Sequence, residues 1–347
     1  MANMNVRTPR FYVDTLSYLL SRGMTQDGEL DVAATNTGTY KIGLQTGSEI
    51  ELFDMNPLNK VDFNTSAATG DHVLVNIDTQ SATSKKNFVA ILNHNMNSAD
   101  AKVRIRGSFT ETHVDDIDMG SASPMSNPAE VVNADTISSS VVTPATDGST
   151  IVKFDEATKR FWGIQFEGDS AFDGSTDLFI GCILIGEYFD MPNAPDLNVT
   201  SSIMFDGVKT LESAAGQRFS NMSNSGRTHG ASTKSPFTIG QPDYEGYGGR
   251  LAYDMSFSYL NATSVFPNRY QSLVHTDDTV VSDVWNKTNG SHLPFIFSID
   301  NAYVEDDGSQ ANSESVHMFA RFADNSMRFQ QVAPDVWNVG FRVEEEF

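Results

Sequence analysis

Cysteine is almost absent from this sequence: the 347 residues contain one, Cys182, set inside the apolar run LFIGCILIG. That excludes a disulfide framework within the chain. A nucleophilic thiol wants a base and partial exposure, so this run points instead to a buried structural thiol. Basic residues are scarce as well, 23 Lys and Arg against 45 Asp and Glu, for a formal net charge of −22. Such a surface repels phosphate backbones and anionic lipid, so neither a nucleic-acid nor a membrane partner is expected. The imbalance reads as solubility before it reads as an acidic binding patch. No apolar run reaches the ~18 residues of a spanning helix. The opening MANMNVRTPRFYVD lacks the apolar centre of a signal peptide, which points to synthesis in a cytoplasm.

Motifs of common chemistry are missing too. Gly246 to Gly249 in EGYGG precede a strand pattern, not a helix, so they cannot set a phosphate on a helix N-terminus. There is no Gly-x-Ser-x-Gly elbow. The seven histidines show neither His-x-x-x-His nor His-x-His spacing, which leaves little basis for zinc. Two acidic clusters, Asp115-Asp116-Ile117-Asp118 and Glu305-Asp306-Asp307-Gly308-Ser309, could offer oxygens to calcium. Neither has the full spacing of a calcium loop, and a solvated loop is the plainer reading. No cofactor is expected. With 45 acids, some pair will fall at glycosidase distance by chance, so spacing lends an enzyme no support.

What is present is alternation and turn chemistry. Gly, Ser, Thr, Asn and Asp are abundant, as in a turn-rich β protein. The length favours about two domains. The fold class expected is mostly β, two β-sandwich-like domains with few short helices. Residues 1–30 read as an N-terminal extended arm and a short helix over 15–22, with Asp14 as N-cap, Leu16, Leu19 and Leu20 on one face, and Gly23 as stop. Such an arm can clamp a neighbouring subunit or dock on its own domain. Residues 31–195 form the first β domain, closed by the proline pair of DMPNAP. Residues 196–347 form the second, with a long polar loop at 216–249.

Within the first domain, SEIELF and HVLVNID alternate as strands. Phe88 to Leu92 and LFIGCILIGEYF are apolar on both faces, as in central strands packed on two sides. Val103 and Ile105 alternate with Lys102, Arg104 and Arg106, and Trp162, Ile164 and Phe166 share a face. Residues 110–149 read as loops with one or two short strands. In the second domain Leu251, Tyr253, Met255, Phe257 and Tyr259 alternate. Val280, Val281, Val284 and Trp285 share a helical face, stopped by Asn289-Gly290. LPFIFSID and SVHMFARFAD are strands, and the chain closes on a hairpin turning at Pro334-Asp335, with Trp337, Val339, Phe341 and Val343 inward.

Asn93-His94-Asn95 follows a strand buried on both sides. His94 could act as a base, but no serine, cysteine or acid is fixed beside it locally. Asn and His tolerate left-handed backbone and bond to nearby main chain, so a strand-ending clasp is the favoured reading.

FVAILNHNMNSADAKVRIRGS resembles the strand–corner–strand signature of discoidin-like (galactose-binding-like) β-sandwiches in structural proteins of tailed bacteriophages. There an Asn-His-Asn-Leu corner precedes an alternating strand ending in Gly-Ser. The matching positions are Asn93, His94, Asn95, Gly107 and Ser108, with Met96 where leucine is expected. FWGIQFEG and IGCILIGEYFDMP are similar to two further strands of that sandwich, and PRFYVDTLSYLLSRG resembles a virion-protein N-terminus. GGRLAYDMSFSYL, LPFIFSID, FARFADNS and RVEEEF resemble the second β domain of such tail proteins. The resemblance implies a virion location in the tail, baseplate or adaptor region, a homo-oligomer, and other virion proteins as partners. Sandwiches of this type often bind sugars through loop aromatics. A host surface glycan is therefore the alternative ligand, with Tyr244 and Tyr247 as candidate contacts.

Overall fold

Sixteen strands of four residues or more carry the architecture among the described residues. The computed structural model describes residues 7–23, 30–32, 44–66, 72–80, 84–114, 119–138, 140–168, 172–205, 208–222, 235–237, 249–268, 278–302 and 316–346. The strands used below are β1 (Arg10–Asp14), β2 (His72–Asp78), β3 (Lys86–His94), β4 (Ala101–Ser108), β5 (Gly148–Ala157), β6 (Phe161–Gly168) and β7 (Leu178–Asp190). They continue with β8 (Thr200–Met204), β9 (Val208–Glu212), β10 (Arg218–Met222), β11 (Arg250–Asn261), β12 (Phe295–Ser298), β13 (His317–Phe322), β14 (Arg328–Ala333) and β15 (Val336–Glu345). The fold is mostly β, built from large antiparallel sheets in a β-sandwich-like arrangement with few short helices.

One sheet runs β8-β11-β15-β13-β12-β1-β7-β3-β5 and ends on the short strand Ala129–Val132. A second sheet places β4, β6 and β2 side by side. The sandwich core lies between them. Val89, Ile91, Val152, Ile183 and Ile185 come from the first sheet, and Val75, Val103, Ile105, Trp162, Ile164 and Phe166 from the second. The other face of the first sheet is covered too: Phe88, Ala90, Leu92, Cys182 and Leu184 pack there with Tyr12, Ile296 and Phe319. That double cover is why β3 and β7 read as unbroken apolar runs.

A separate core takes residues 189–343 together with Phe11 and Val13. The cluster around Phe88 takes Phe237, Ile296 and Phe319 from beyond the proline pair, and the large sheet also continues across it through β1. This β1 is the residue 10–14 part of the expected arm. It pairs with β7 on one side and β12 on the other, inside its own chain. Helix α1 (Thr15–Ser21) follows. The Asp14 carboxylate accepts the Ser17 N–H at 2.6 Å and the Ile185 N–H at 2.8 Å, and Gly23 ends the turn at φ +65°.

Four expectations change. SEIELF is not a strand: Glu49–Phe53 is a 3₁₀ helix, held by Glu51 N–H to Ser48 O and by the Ser48 N–H on the Glu51 carboxylate. The 110–149 region holds four short strands and a 3₁₀ turn, more order than its composition promised. In β11 the alternation breaks after Phe257 at a register shift. Tyr259, at φ +63°, turns out to solvent, and Leu260 takes the inward place. Finally, the 216–249 stretch is not loop throughout, since its start forms β10, paired with β9. The Val280–Asn286 segment is helical as expected, but wound as a π-helix.

Candidate functional site

The Asn93-His94-Asn95 clasp sits where β3 ends, and all three residues are buried. Asn93 adopts φ +52°, and its amide donates to Pro57 O at 2.7 Å. Its own N–H reaches Ser149 Oγ, which donates to Pro236 O. Opposite it, Gly181 is required by contact, because a Cβ there would lie 2.1 Å from Pro57 O. His94 Nδ1 accepts the Met96 N–H at 3.2 Å, so Nε2 carries the proton and donates to Thr150 Oγ1 at 2.8 Å. Thr150 Oγ1 donates onward to Asn133 O. Asn95 clamps the start of β7, donating to Asp177 O and accepting the Phe179 N–H. Both ring nitrogens of His94 are thus committed. Burial without a charged partner pushes its pKa down to about 3. The geometry ties four chain segments together and leaves His94 no open face toward a substrate.

Gly107 and Ser108 lie elsewhere. They end β4, six residues from its start, so the strand sets them about 20 Å from the clasp. Ser108 Oγ accepts the Thr110 N–H and lies 3.0 Å from His113 Nδ1. Beside Gly107 opens a pocket of about 330 Å³, with Trp162 and Phe154 in its wall and Phe109, Lys159, Asp155 and Glu156 among its rim residues. Phe109 is 56% exposed, and the Lys159 ammonium sits 4.2 Å from its ring centre. Sequence reasoning passed over Phe109. It falls in phase with the inward residues Val103 and Ile105, so periodicity alone gives no sign that it lies past the strand's end and faces water. A second cavity, about 410 Å³, is lined by residues that include Asn198, Asp254, Ser256, Asp324 and Arg342.

Charged groups in the interior are tied into the structure. The Lys287 ammonium donates to Glu187 at 2.6 Å and Asp283 at 2.8 Å, bridging β7 to the π-helix. Lys86, fully buried, donates to Thr79 Oγ1, to Ser84 Oγ and O, and to Lys159 O. Burial, with Lys287 nearby, brings its pKa down to about 7. Glu167 is held down to about 2 by His72 first, then by Arg104 and Lys102. Among the described residues no group of three or more His, Cys, Asp or Glu is placed to hold a metal ion. Tyr244 and Tyr247 lie outside the described residues, as do Asp115 to Asp118 and Glu305 to Ser309. No helix among the described residues is long and apolar enough to cross a membrane.

Cys182 is buried on β7, and burial pushes its thiol pKa well up. A thiol reagent added to the folded protein is expected to label it at least 100-fold more slowly than in denaturant. Equal rates in both states would show that this strand opens readily.

No family model matches the sequence, and a search of curated proteins gave no match. Among solved structures the chain is similar to a family 89 glycoside hydrolase from Clostridium perfringens, in complex with 2-acetamido-1,2-dideoxynojirmycin. The identity is 12% and the TM-score 0.23, over 46% of this chain and 14% of that one. A likeness of that size bears on neither fold nor function.

Proposed function

We propose that this chain is a non-enzymatic structural component of a tailed-phage virion, assembling as a homo-oligomer in the tail, baseplate or adaptor region. The phage setting rests on the resemblance carried by Asn93, His94, Asn95, Gly107 and Ser108. The assembly role rests on one observation about the surface. Nine large hydrophobic residues are exposed among the described residues, and six of them fall between 197 and 219: Leu197, Ile203, Phe205, Val208, Leu211 and Phe219. Scattered exposed apolar residues are ordinary, whereas a run of them on one stretch marks a contact surface. The closed hydrogen bonding around His94 fits a scaffold better than a reaction centre. Two tests follow. Mass spectrometry of purified particles should find the chain at structural copy number, and sedimentation of the isolated protein should give an oligomer. A monomer missing from particles would refute the reading.

A second reading has its own observation. The pocket beside Phe109 offers an exposed ring with carboxylates at the rim, as sugar recognition requires, so a carbohydrate- or receptor-binding module is the alternative. It expects glycan-array binding that Phe109→Ala weakens at least tenfold. An array with no positive glycan removes it.

A further inference from the structure

Five of the six exposed apolar residues between 197 and 219 fall on or just beyond two elements that are neighbours in the chain. Strand β8 is the edge of the large sheet: it pairs with β11 on one side and with no described strand on the other. Its sequence TSSIM has none of the charges or prolines that usually protect an edge. Ile203 is 63% exposed, and Phe205 just beyond the strand is 52% exposed. Next along the chain, β9 and β10 form a two-stranded sheet that joins no other described strand. Leu211 and Phe219 stand directly opposite each other on one of its faces, 72% and 58% exposed. A lone two-stranded hairpin is marginal in water, and this one shows its apolar pair to solvent.

We infer that the β9–β10 hairpin is an assembly arm, whose Leu211–Phe219 face seats against edge strand β8, Ile203 and Phe205 of a second copy of this chain. The inference deepens the homo-oligomer reading above and rests on it. Charge selects the partner. Residues 197–222 carry two acids, Asp206 and Glu212, and two bases, Lys209 and Arg218, so this stretch is neutral in a chain of net charge −22. Two copies of so acidic a protein repel over most of their surfaces and can approach closely where that charge is absent. A basic partner would be drawn instead to the acidic surface. Size is compatible as well. The four large side chains of this contact, Ile203, Phe205, Leu211 and Phe219, offer on the order of 450 Å² per copy, about half of the ~800 Å² per partner in a standard stable interface. The β8 edge that no described strand pairs adds hydrogen-bonding capacity to that area.

The test uses the full chain. Sedimentation at tens of micromolar compares the unaltered protein with Leu211→Ser/Phe219→Ser. The expected result is an oligomer for the former and at least tenfold weaker self-association for the latter, with unchanged far-UV circular dichroism. An oligomer that the double substitution leaves intact sinks the arm but keeps the homo-oligomer reading. A monomer before substitution sinks both. Should the double variant misfold, disulfide trapping decides. One tagged chain carries Leu211→Cys, a differently tagged chain carries Ile203→Cys, and Cys182 stays buried and silent. Oxidation of the mixture should give a covalent heterodimer on a non-reducing gel, and its absence refutes the arm.

Discussion

Phe11→Ala is expected to lower unfolding stability by about 3–5 kcal/mol, the usual cost of emptying a buried phenylalanine site. Phe11 is fully buried, and its ring lies 5.1–6.0 Å from those of Phe297, Phe295, Phe341 and Phe322. Those four rings come from β12, β13 and β15 of the second half, while Phe11 belongs to β1 near the chain start. The next residue, Tyr12, faces the opposite side of the sheet and packs on Phe88. Four residues later, Leu16 enters the sandwich core. Three hydrophobic clusters are thus pinned by six consecutive residues, 11–16. Domains of this kind hold only about 5–15 kcal/mol in total, so one ring removed here takes a large share. Urea unfolding followed by fluorescence would measure the loss. A change below about 1 kcal/mol would mean that β1 is a detachable arm, not a sheet strand.

That position of β1 was not legible in the sequence. PRFYVD is short, and nothing in its own pattern says which distant strands will flank it. Pairing with Phe189 and Phe297 is a long-range fact, and local periodicity carries no information about it. The same limit explains β9–β10. VKTLE and RFSNM are weakly apolar, and Ser, Asn and Gly around them suit loops as well as turns, so the segment merged with the polar stretch after it.

Other elements were legible because the physics there is local. Runs such as VAILN and LFIGCILIG admit one simple solution, a strand covered on both faces, and β3 and β7 take it. The alternation of Val103 and Ile105 with three basic residues fixed which face of β4 points inward. Where alternation misled, a named local interaction had overridden it. In SEIELF the Ser48–Glu51 pair closes a 3₁₀ turn, and the turn's own hydrogen bonds replace those of a ladder. In β11 a bulge inserts an extra residue after Phe257, which flips the parity of all that follows. The Asn-His-Asn clasp was legible as a strand end, since Asn at φ +52° is a common solution there. Its partners at 57, 133, 149–150 and 177–179 were not, because they come from distant parts of the chain.

The clasp gives the other large effect, a loss of stability in mild acid that traces to one ring. His94 has its ordinary pKa near 6.5 when unfolded and about 3 when folded. Between those values the unfolded chain binds a proton that the folded protein refuses. Stability therefore falls as pH drops from 6.5 toward 3, by up to about 1.4 kcal/mol per pH unit and about 4–5 kcal/mol in all. The cause is geometric: Nδ1 accepts the Met96 N–H, so a proton placed there would face a donor in a buried site. Other groups act in the same range. Glu167, held to about 2, adds acid sensitivity only below its unfolded value near 4.5. Asp14, Glu187 and Glu345 have pKa values raised by burial, so their protonation favours the fold and opposes the trend. The measurement must therefore isolate His94. His94→Gln cannot titrate and loses part of the bonding, so at pH 7.5 it should be less stable than the unaltered protein by about 1–3 kcal/mol. At pH 4.5 that gap should have shrunk by about 2–3 kcal/mol, bringing the two urea curves together or across each other. Curves that stay parallel between pH 7.5 and 4.5 would mean that the ring protonates in place, and that the clasp is open enough for His94 to act as a base after all.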